Sequence, residues 1–216
     1  MRTRYNKRSQ GLARAKVAAA MLLTLRGTPM LYYGEELGQA EVKLSRKQIM
    51  DPPGVQYWPF HKGRDGCRAP MQWDDSIQAG FTTERPWLPV HPDSKTKNVK
   101  EQDRDPKSLL NLYRRLIWLR KKHPVLQFGD LTLVDKDHRH VLAFSRSSED
   151  ERILILLNFS FKNQSLILDS SPPLKILLGT QKREGELISG TGIELQPNEV
   201  LILKQMVESG RDPHEE

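Results

Sequence analysis

Two adjacent carboxylates, Glu35 and Glu36, close a short apolar run, and a second adjacent pair, Asp74 and Asp75, sits farther along the chain. Paired carboxyl groups can divide acid and base work, one acting as nucleophile or base and the other as proton donor. A like charge next door raises the pKa of one member. Consecutive residues of an extended chain project in opposite directions, so Glu35 and Glu36 read as anchors of a turn rather than as a reacting pair. Asp74 and Asp75 read as turn acids. Arg64 offers a planar fork of donors that suits hydroxyl oxygens or a carboxylate. The donor argument does not separate the two partners, and a salt bridge to Asp65 or another loop acid is the competing reading. Trp58, Trp73 and Trp87 have flat faces on which a ligand ring could stack, although indoles mostly serve as buried area and packing within the loop is the expectation. Cys67 has no base partner in view and reads as structural. His138 and His140 stand two apart beside a turn and read as surface residues. Neither the six histidines nor the lone cysteine has metal-ligand spacing, so no metal and no cofactor are expected.

The elements that must position these groups fall into four regions. A helix is expected over 10–26, capped by Ser9 and stopped by Gly27, and apolar nearly all round toward its end. The run 28–33 reads as a buried strand, with Pro29 near its start where proline is tolerated. Residues 35–105 hold seven prolines and three of the four tryptophans. A connection of that length inside a compact domain is functional or disordered, and its aromatic content favours an ordered insertion that builds a surface or pocket wall. Asp105 as N-cap and Pro106 at the first position open a second helix that runs to Pro124, with basic residues crowding its last turn. From about Gly129 the period becomes that of strands: 131–134, 140–146, 152–158, 165–168, 174–178 and 200–204, separated by turn clusters. This pattern predicts an antiparallel β-sandwich. The tail 208–216 is polar and expected to be disordered.

Charge and composition exclude several roles. The net charge is +7, but residues 1–26 carry seven basic side chains and no acid, leaving 27 of each sign in the remainder. A nucleic-acid surface would spread its Lys and Arg over a face of the fold, so no nucleic-acid partner is expected. The apolar run 17–25 is far shorter than the roughly 20 residues a bilayer span requires. Lys16 and Arg26 flank it and no small-x-small cleavage site comes after it, so a buried helix of a cytoplasmic protein is expected, with no membrane partner. At 216 residues the chain is too short for a complete (β/α)₈ barrel, roughly 250 residues, plus a further domain. The N-terminal part is α/β and incomplete, and its one strand and apolar helix invite self-association.

Several motifs then fall into one order. Thr28-Pro-Met-Leu-Tyr-Tyr-Gly-Glu-Glu-Leu-Gly38 resembles the eighth barrel strand and adjoining turn of glycoside hydrolase family 13, the α-amylase family. Gly63-Arg-Asp-Gly-Cys-Arg-Ala-Pro-Met-Gln-Trp-Asp74 resembles the Arg-Asp-x-x-Arg-Thr-Pro-Met-Gln-Trp segment of its α-glucosidase and oligo-1,6-glucosidase branch. Ala79-Gly-Phe-Thr, Pro86-Trp-Leu-Pro-Val and the helix ending in Lys-Lys-His-Pro124 are similar to the stretches downstream of that segment in those enzymes. Ala69 stands where the segment usually has Thr.

The resemblance implies the end of a (β/α)₈ barrel over 1–127: eighth strand, long loop after it, closing helix. An antiparallel β domain over 128–206 and a tail over 207–216 complete the expected organisation. It implies an α-glucosidase-like retaining hydrolase acting on α-glucosidic bonds of malto- or isomalto-oligosaccharides. The family's catalytic carboxylates come from the fourth and fifth strands, and its third acid from an Asn-His-Asp motif after the seventh; none of these is in this sequence. No catalytic residue is therefore assigned, the chain alone is expected to be inactive, and Arg64 is the one residue carried over, beside the substrate. The alternative is a non-catalytic carbohydrate-binding or protein-interaction module derived from that family.

Overall fold

The computed structural model describes residues 11–168, 173–181 and 183–206. Ser9 and the tail 207–216 lie outside them. The chain divides into two compact units, 1–15 with 30–115, and 16–29 with 116–216.

Helix α1 spans Gly11–Thr24. Its buried side chains are mostly small, Ala15, Ala18, Ala19 and Ala20, joined by Val17 and Leu23. Alanine has the best helix propensity and lets neighbouring backbone approach closely. The helix ends two residues earlier than the sequence predicts, and Gly27 comes after it with a φ of +107°. The last carbonyls are satisfied by arginines instead of a glycine cap. Arg120 donates through Nη1 to the Leu23 and Leu25 carbonyls and through Nη2 to that of Gly27, at 2.9, 3.2 and 2.7 Å. Arg146 donates to the Thr24 carbonyl at 2.7 Å.

The strand expected over 28–33 is not formed as a paired strand. No described segment pairs with it, and Met30 is 82% exposed. A parallel strand is defined by the ladders on its two edges, and local apolar sequence cannot replace them.

The long loop is a chain of short helical turns. They are Arg46–Gln48, α2 (Pro52–Gln56), Asp65–Arg68, Ile77–Gly80, Pro92–Lys95 and α3 (Val99–Arg104). Helix α4 spans Leu109–Lys122. Its cap is Ser108, whose Oγ accepts the Asn111 amide hydrogen at 3.1 Å. Asp105 instead ends α3 and accepts the Lys107 amide hydrogen, so the predicted Asp-Pro cap is displaced by three residues. Leu109, Leu112, Tyr113 and Leu116 are buried at the predicted spacing. The four-residue α5, Val125–Phe128, begins just after Pro124.

Among the described residues eight strands come next: β1 (Asp130–Asp135), β2 (Val141–Ser147), β3 (Arg152–Asn158), β4 (Gln164–Ile167), β5 (Leu174–Gly179), β6 (Leu187–Ile188), β7 (Gly192–Leu195) and β8 (Val200–Gln205). The first sheet runs β1-β2-β3-β8-β5-β6, and β4 pairs with β7 in a second. Every ladder is antiparallel. The sandwich core alternates along each strand, as with Leu154 and Leu156 of β3, Leu201 and Leu203 of β8, and Leu166, Ile193 and Leu195 of the small sheet. Ile153, Ile155 and Leu157 point to the other face and are also fully buried. Helix α5 packs against β2 and β3. Burial on both faces explains why β3 is a continuous apolar run rather than an alternating one. The sequence reading omitted β6, which is only two residues long, and β7, which carries Gly and Glu among its four residues.

Candidate functional site

The apolar run leads into a turn. The Glu35 amide donates to the Tyr32 carbonyl at 3.1 Å, Gly38 to Glu35 at 2.9 Å and Gln39 to Gly34 at 2.8 Å. Gly34 has a φ of +83°, and a Cβ there would lie 2.7 Å from the Gln39 side-chain oxygen. Only glycine meets both conditions. Two side chains then fasten the turn to the loop beyond: Tyr33 Oη donates to the Ala69 carbonyl at 3.1 Å, and Gln39 Nε2 to that of Pro70 at 2.9 Å. Burial pushes the Tyr33 phenol up to about 12, so it holds its proton and donates at any physiological pH. The contact to residue 69 runs through its main chain, so alanine in place of threonine leaves it intact.

Those bonds position the Arg64–Arg68 turn. Its centre is a pair of buried aspartates. Asp65 accepts the amide hydrogens of Met50 and Asp51, both at 2.7 Å. Asp51 accepts the Arg64 amide hydrogen at 3.1 Å and a guanidinium hydrogen of Arg68 at 3.4 Å. The Asp51 and Asp65 side chains are 2% and 1% exposed, whereas that of Arg64 is 68% exposed. Its guanidinium stands 3.6 Å from Asp51, an ion pair longer than a hydrogen bond. The backbone of Arg64 is thus fixed by a buried carboxylate while its donor fork faces outward. Of the two partners left open by the sequence, the acid partner is present, and it is Asp51 rather than Asp65. Arg68 takes the inward role, bridging both aspartates. Sequence reading missed Asp51 and Arg68. The i, i+4 spacing of Arg64 and Arg68 was visible, but Asp51 reaches the cluster only through the fold.

Glu35 and Glu36 lie in the turn, not in extended chain, so the projection argument fails, and the side chains that fasten the turn are Tyr33 and Gln39. Burial raises the pKa of both carboxyls. One Glu35 oxygen is buried with no hydrogen-bond partner among the described residues. Asp74 and Asp75 behave as turn acids. Asp74 accepts the Ser76 amide hydrogen at 2.9 Å, and hydrogen bonds from Ser76 hold its carboxyl below the usual range. Asp75 pairs with Lys100 at 2.9 Å, with the same effect on its pKa.

Trp73 and Trp87 are 50% and 59% exposed, which overturns the expectation that they pack the loop. Their neighbours Gln72 and Leu88 occupy the interior instead. Gln72 is stable there because its amide donates to Asp93 and to the Lys97 carbonyl. Trp58 is half-buried and precedes a cis proline. Cys67 is exposed, its thiol donating to the Arg64 carbonyl at 2.9 Å. His138 caps its own turn, its Nδ1 accepting the amide hydrogens of His140 and Val141. Among the described residues no group of three His, Cys, Asp or Glu is placed to hold a metal ion.

The chain belongs to the alpha-amylase family: residues 1–129 match the model of the alpha amylase catalytic domain, and 131–199 that of the maltogenic amylase C-terminal domain. It is 42% identical over 148 residues to a probable alpha-glucosidase of Rhizobium meliloti, covering 68% of this chain and 27% of that protein. It is 33% identical over 210 residues to an oligo-1,6-glucosidase of Halalkalibacterium halodurans, covering 87% of this chain and 37% of that one. Its structure matches trehalulose synthase MutB of Pseudomonas mesoacidophila MX-45 with a TM-score of 0.81 and 32% identity, over 92% of this chain and 39% of that one. The chain therefore carries the end of a (β/α)₈ barrel and then an antiparallel β domain, and spans well under half the length of these relatives. No helix among the described residues is long and apolar enough to cross a membrane.

Proposed function

We propose that this chain is the C-terminal part of a cytoplasmic α-glucosidase-type hydrolase. The enzyme cleaves α-glucosidic bonds of malto- or isomalto-oligosaccharides by a retaining mechanism, with its catalytic carboxylates on strands outside these residues. Barrel residues end near 127 and the β domain occupies 128–206. Neither nucleic acid nor a membrane is a partner.

The observation that carries the reading is the division of labour between the two arginines. Arg68 is spent inside the loop, whereas Arg64 has its backbone held by Asp51 and its donors exposed. A planar guanidinium carried on a fixed backbone has less freedom to lose on meeting a sugar hydroxyl or a carboxylate of the active site. The residues present supply positioning; the two carboxyl groups about 5 Å apart that retaining chemistry requires come from elsewhere in the barrel.

The test is complementation. The purified chain is assayed on a chromogenic α-glucoside alone, then co-expressed with the preceding barrel residues of the Rhizobium meliloti relative. The chain alone should give no turnover above background. The pair should turn over substrate, and Arg64→Ala in the pair should lower kcat/KM by about 10²-fold, the scale of losing a charge-assisted contact of about 3 kcal/mol. Turnover by the chain alone would remove this reading. Turnover by the pair that ignores Arg64→Ala would remove the role given to Arg64.

A further inference from the structure

Two arginines meet one oxygen of Asp51. Its Oδ2 accepts the Arg64 amide hydrogen at 3.1 Å. Its Oδ1 stands 3.4 Å from Nη1 of Arg68 and 3.6 Å from Nη2 of Arg64. Charge-assisted hydrogen bonds close to about 2.7–2.9 Å, so neither guanidinium closes fully on that oxygen. We propose that Arg68 is a positioning residue for Arg64: its charge neutralises Asp51 from within the loop and so leaves the Arg64 guanidinium free to meet a ligand. The inference rests on the role given to Arg64 above and adds what keeps that side chain available.

The backbone around this contact is fixed. Gly63 has a φ of +71°, and a Cβ there would lie 2.6 Å from Asp51 Oδ2, so only glycine lets the chain pass that close to the carboxylate. The Arg64 amide is bonded to the same oxygen, which leaves the side chain as the variable part of residue 64. The demand for a cation lies inside. Asp51 and Asp65 are both buried, and a buried carboxylate that loses its partner charge is strongly destabilising. Asp65 satisfies Oδ2 with the amides of Met50 and Asp51. Its Oδ1 is buried with no hydrogen-bond partner among the described residues, and Nη1 of Arg68 stands 3.7 Å from it. Arg68 therefore serves two buried carboxylates, whereas Arg64, largely exposed, reaches only Asp51.

Competition for one oxygen sets the direction of the effect. Without the Arg68 charge, Asp51 would have Arg64 as its one ion-pair partner among the described residues. Attraction to a buried carboxylate is weakly screened, so the Arg64 guanidinium would be drawn onto Asp51 and its donors spent there. With Arg68 in place that pull is divided, and Arg64 keeps its exposure. A role for Arg68 in stability alone predicts the reverse: losing its two ion pairs would loosen the loop and uncover Arg64 further. The sign of the change at Arg64 thus separates positioning from simple support.

The test is arginine labelling of the full chain with phenylglyoxal, each site quantified by mass spectrometry. Arg104 is the internal reference, because its side chain is 69% exposed against 68% for Arg64. Arg68→Gln should slow labelling of Arg64 about fivefold relative to Arg104, the population shift that a gained hydrogen bond to a charged group produces. Arg68→Lys keeps the charge and should leave Arg64 near its original rate. Asp51→Asn keeps an acceptor for the Arg64 amide but removes the pull, so adding Arg68→Gln to it should slow nothing. Faster or unchanged labelling of Arg64 in Arg68→Gln would overturn the proposal, as would an Arg68→Lys chain that behaves like Arg68→Gln. If Arg68→Gln does not fold, Asp51→Asn alone decides: Arg64 labelling should rise about twofold, and no rise would sink the idea. The labelling needs no turnover. Its failure removes Arg68 as a positioning residue, whereas Arg64→Ala in the complemented pair decides the role of Arg64 itself.

Discussion

The loop over 35–105 and the β domain solve the same problem by opposite means. Each must satisfy its backbone polar groups while burying a core. The β domain does so with ladders, and its side chains are left free to be apolar: the buried positions of β3 and β8 are nearly all Leu, Ile and Val. The loop has no ladder, so side-chain amides and carboxylates take over. Gln72 reaches Asp93 and the Lys97 carbonyl; Gln102 donates to the Leu37 carbonyl and accepts the Leu110 amide hydrogen; Asn98 donates to Ser94 and accepts from Glu101. The same degree of burial thus rests on different chemistry. Volume should matter most in one region and hydrogen-bond identity in the other.

The largest expected effect lies in the β domain. Leu156→Ala opens a cavity between the two sheets and should cost about 2–5 kcal/mol, read from urea unfolding. Arg146→Met keeps the length of the side chain but abandons the Thr24, Leu126 and Gly129 carbonyls. It should cost about 2–4 kcal/mol from the desolvated acceptors left behind. Arg146→Lys, with its single head, should recover only part of this.

In the loop, Gln72→Leu preserves size and adds apolar character, a change the β domain would accept. Here it strands the Lys97 carbonyl, while Asp93 keeps His91 and Lys97, and should cost about 1–3 kcal/mol, visible as faster hydrogen exchange at Val99 and Lys100, whose amides bond to the carbonyls of Gln72 and Trp73. If Gln72→Leu is neutral while Leu156→Ala is not, the contrast holds for volume only and the claim about polar identity fails.

The smallest effect separates the regions by pH. Burial works against the Glu151 carboxylate, but hydrogen bonds from Lys204 and His123 prevail and hold its pKa below the ordinary value. A depressed carboxyl contributes stability that is complete above the pKa of the unfolded chain, about 4.3, and is lost as pH falls through the folded value. The thermal stability of the β domain should therefore fall below about pH 4, and Glu151→Gln should flatten that dependence. Glu35 and Glu36 carry the opposite sign, raised by burial, so acidification should relieve rather than weaken the turn they occupy.

Much of this molecule was legible in its sequence, and for local reasons. The 3.6-residue period of Leu109, Leu112, Tyr113 and Leu116 marked the buried face of α4, and the long strands announced themselves by β-branched and leucine-rich runs between turn clusters. The order of the motifs around Gly34 and Arg64 carried the family. Helix α1 was visible too, as a stretch too apolar for a surface. These signals depend on residues a few positions apart, which the chain brings together by its own geometry.

Tertiary structure decided the rest. It assigned Arg64 outward and Arg68 inward, since Asp51 reaches both only after the loop has folded. It exposed Trp73 and Trp87 and buried Gln72, reversing hydrophobicity, because the interior there had carbonyls to satisfy. It withheld a paired strand from 28–33, because ladders are made by neighbours and not by propensity. And it ended α1 on the guanidinium groups of Arg120 and Arg146, nearly a hundred residues or more away in the chain, a distance across which no sequence period can speak.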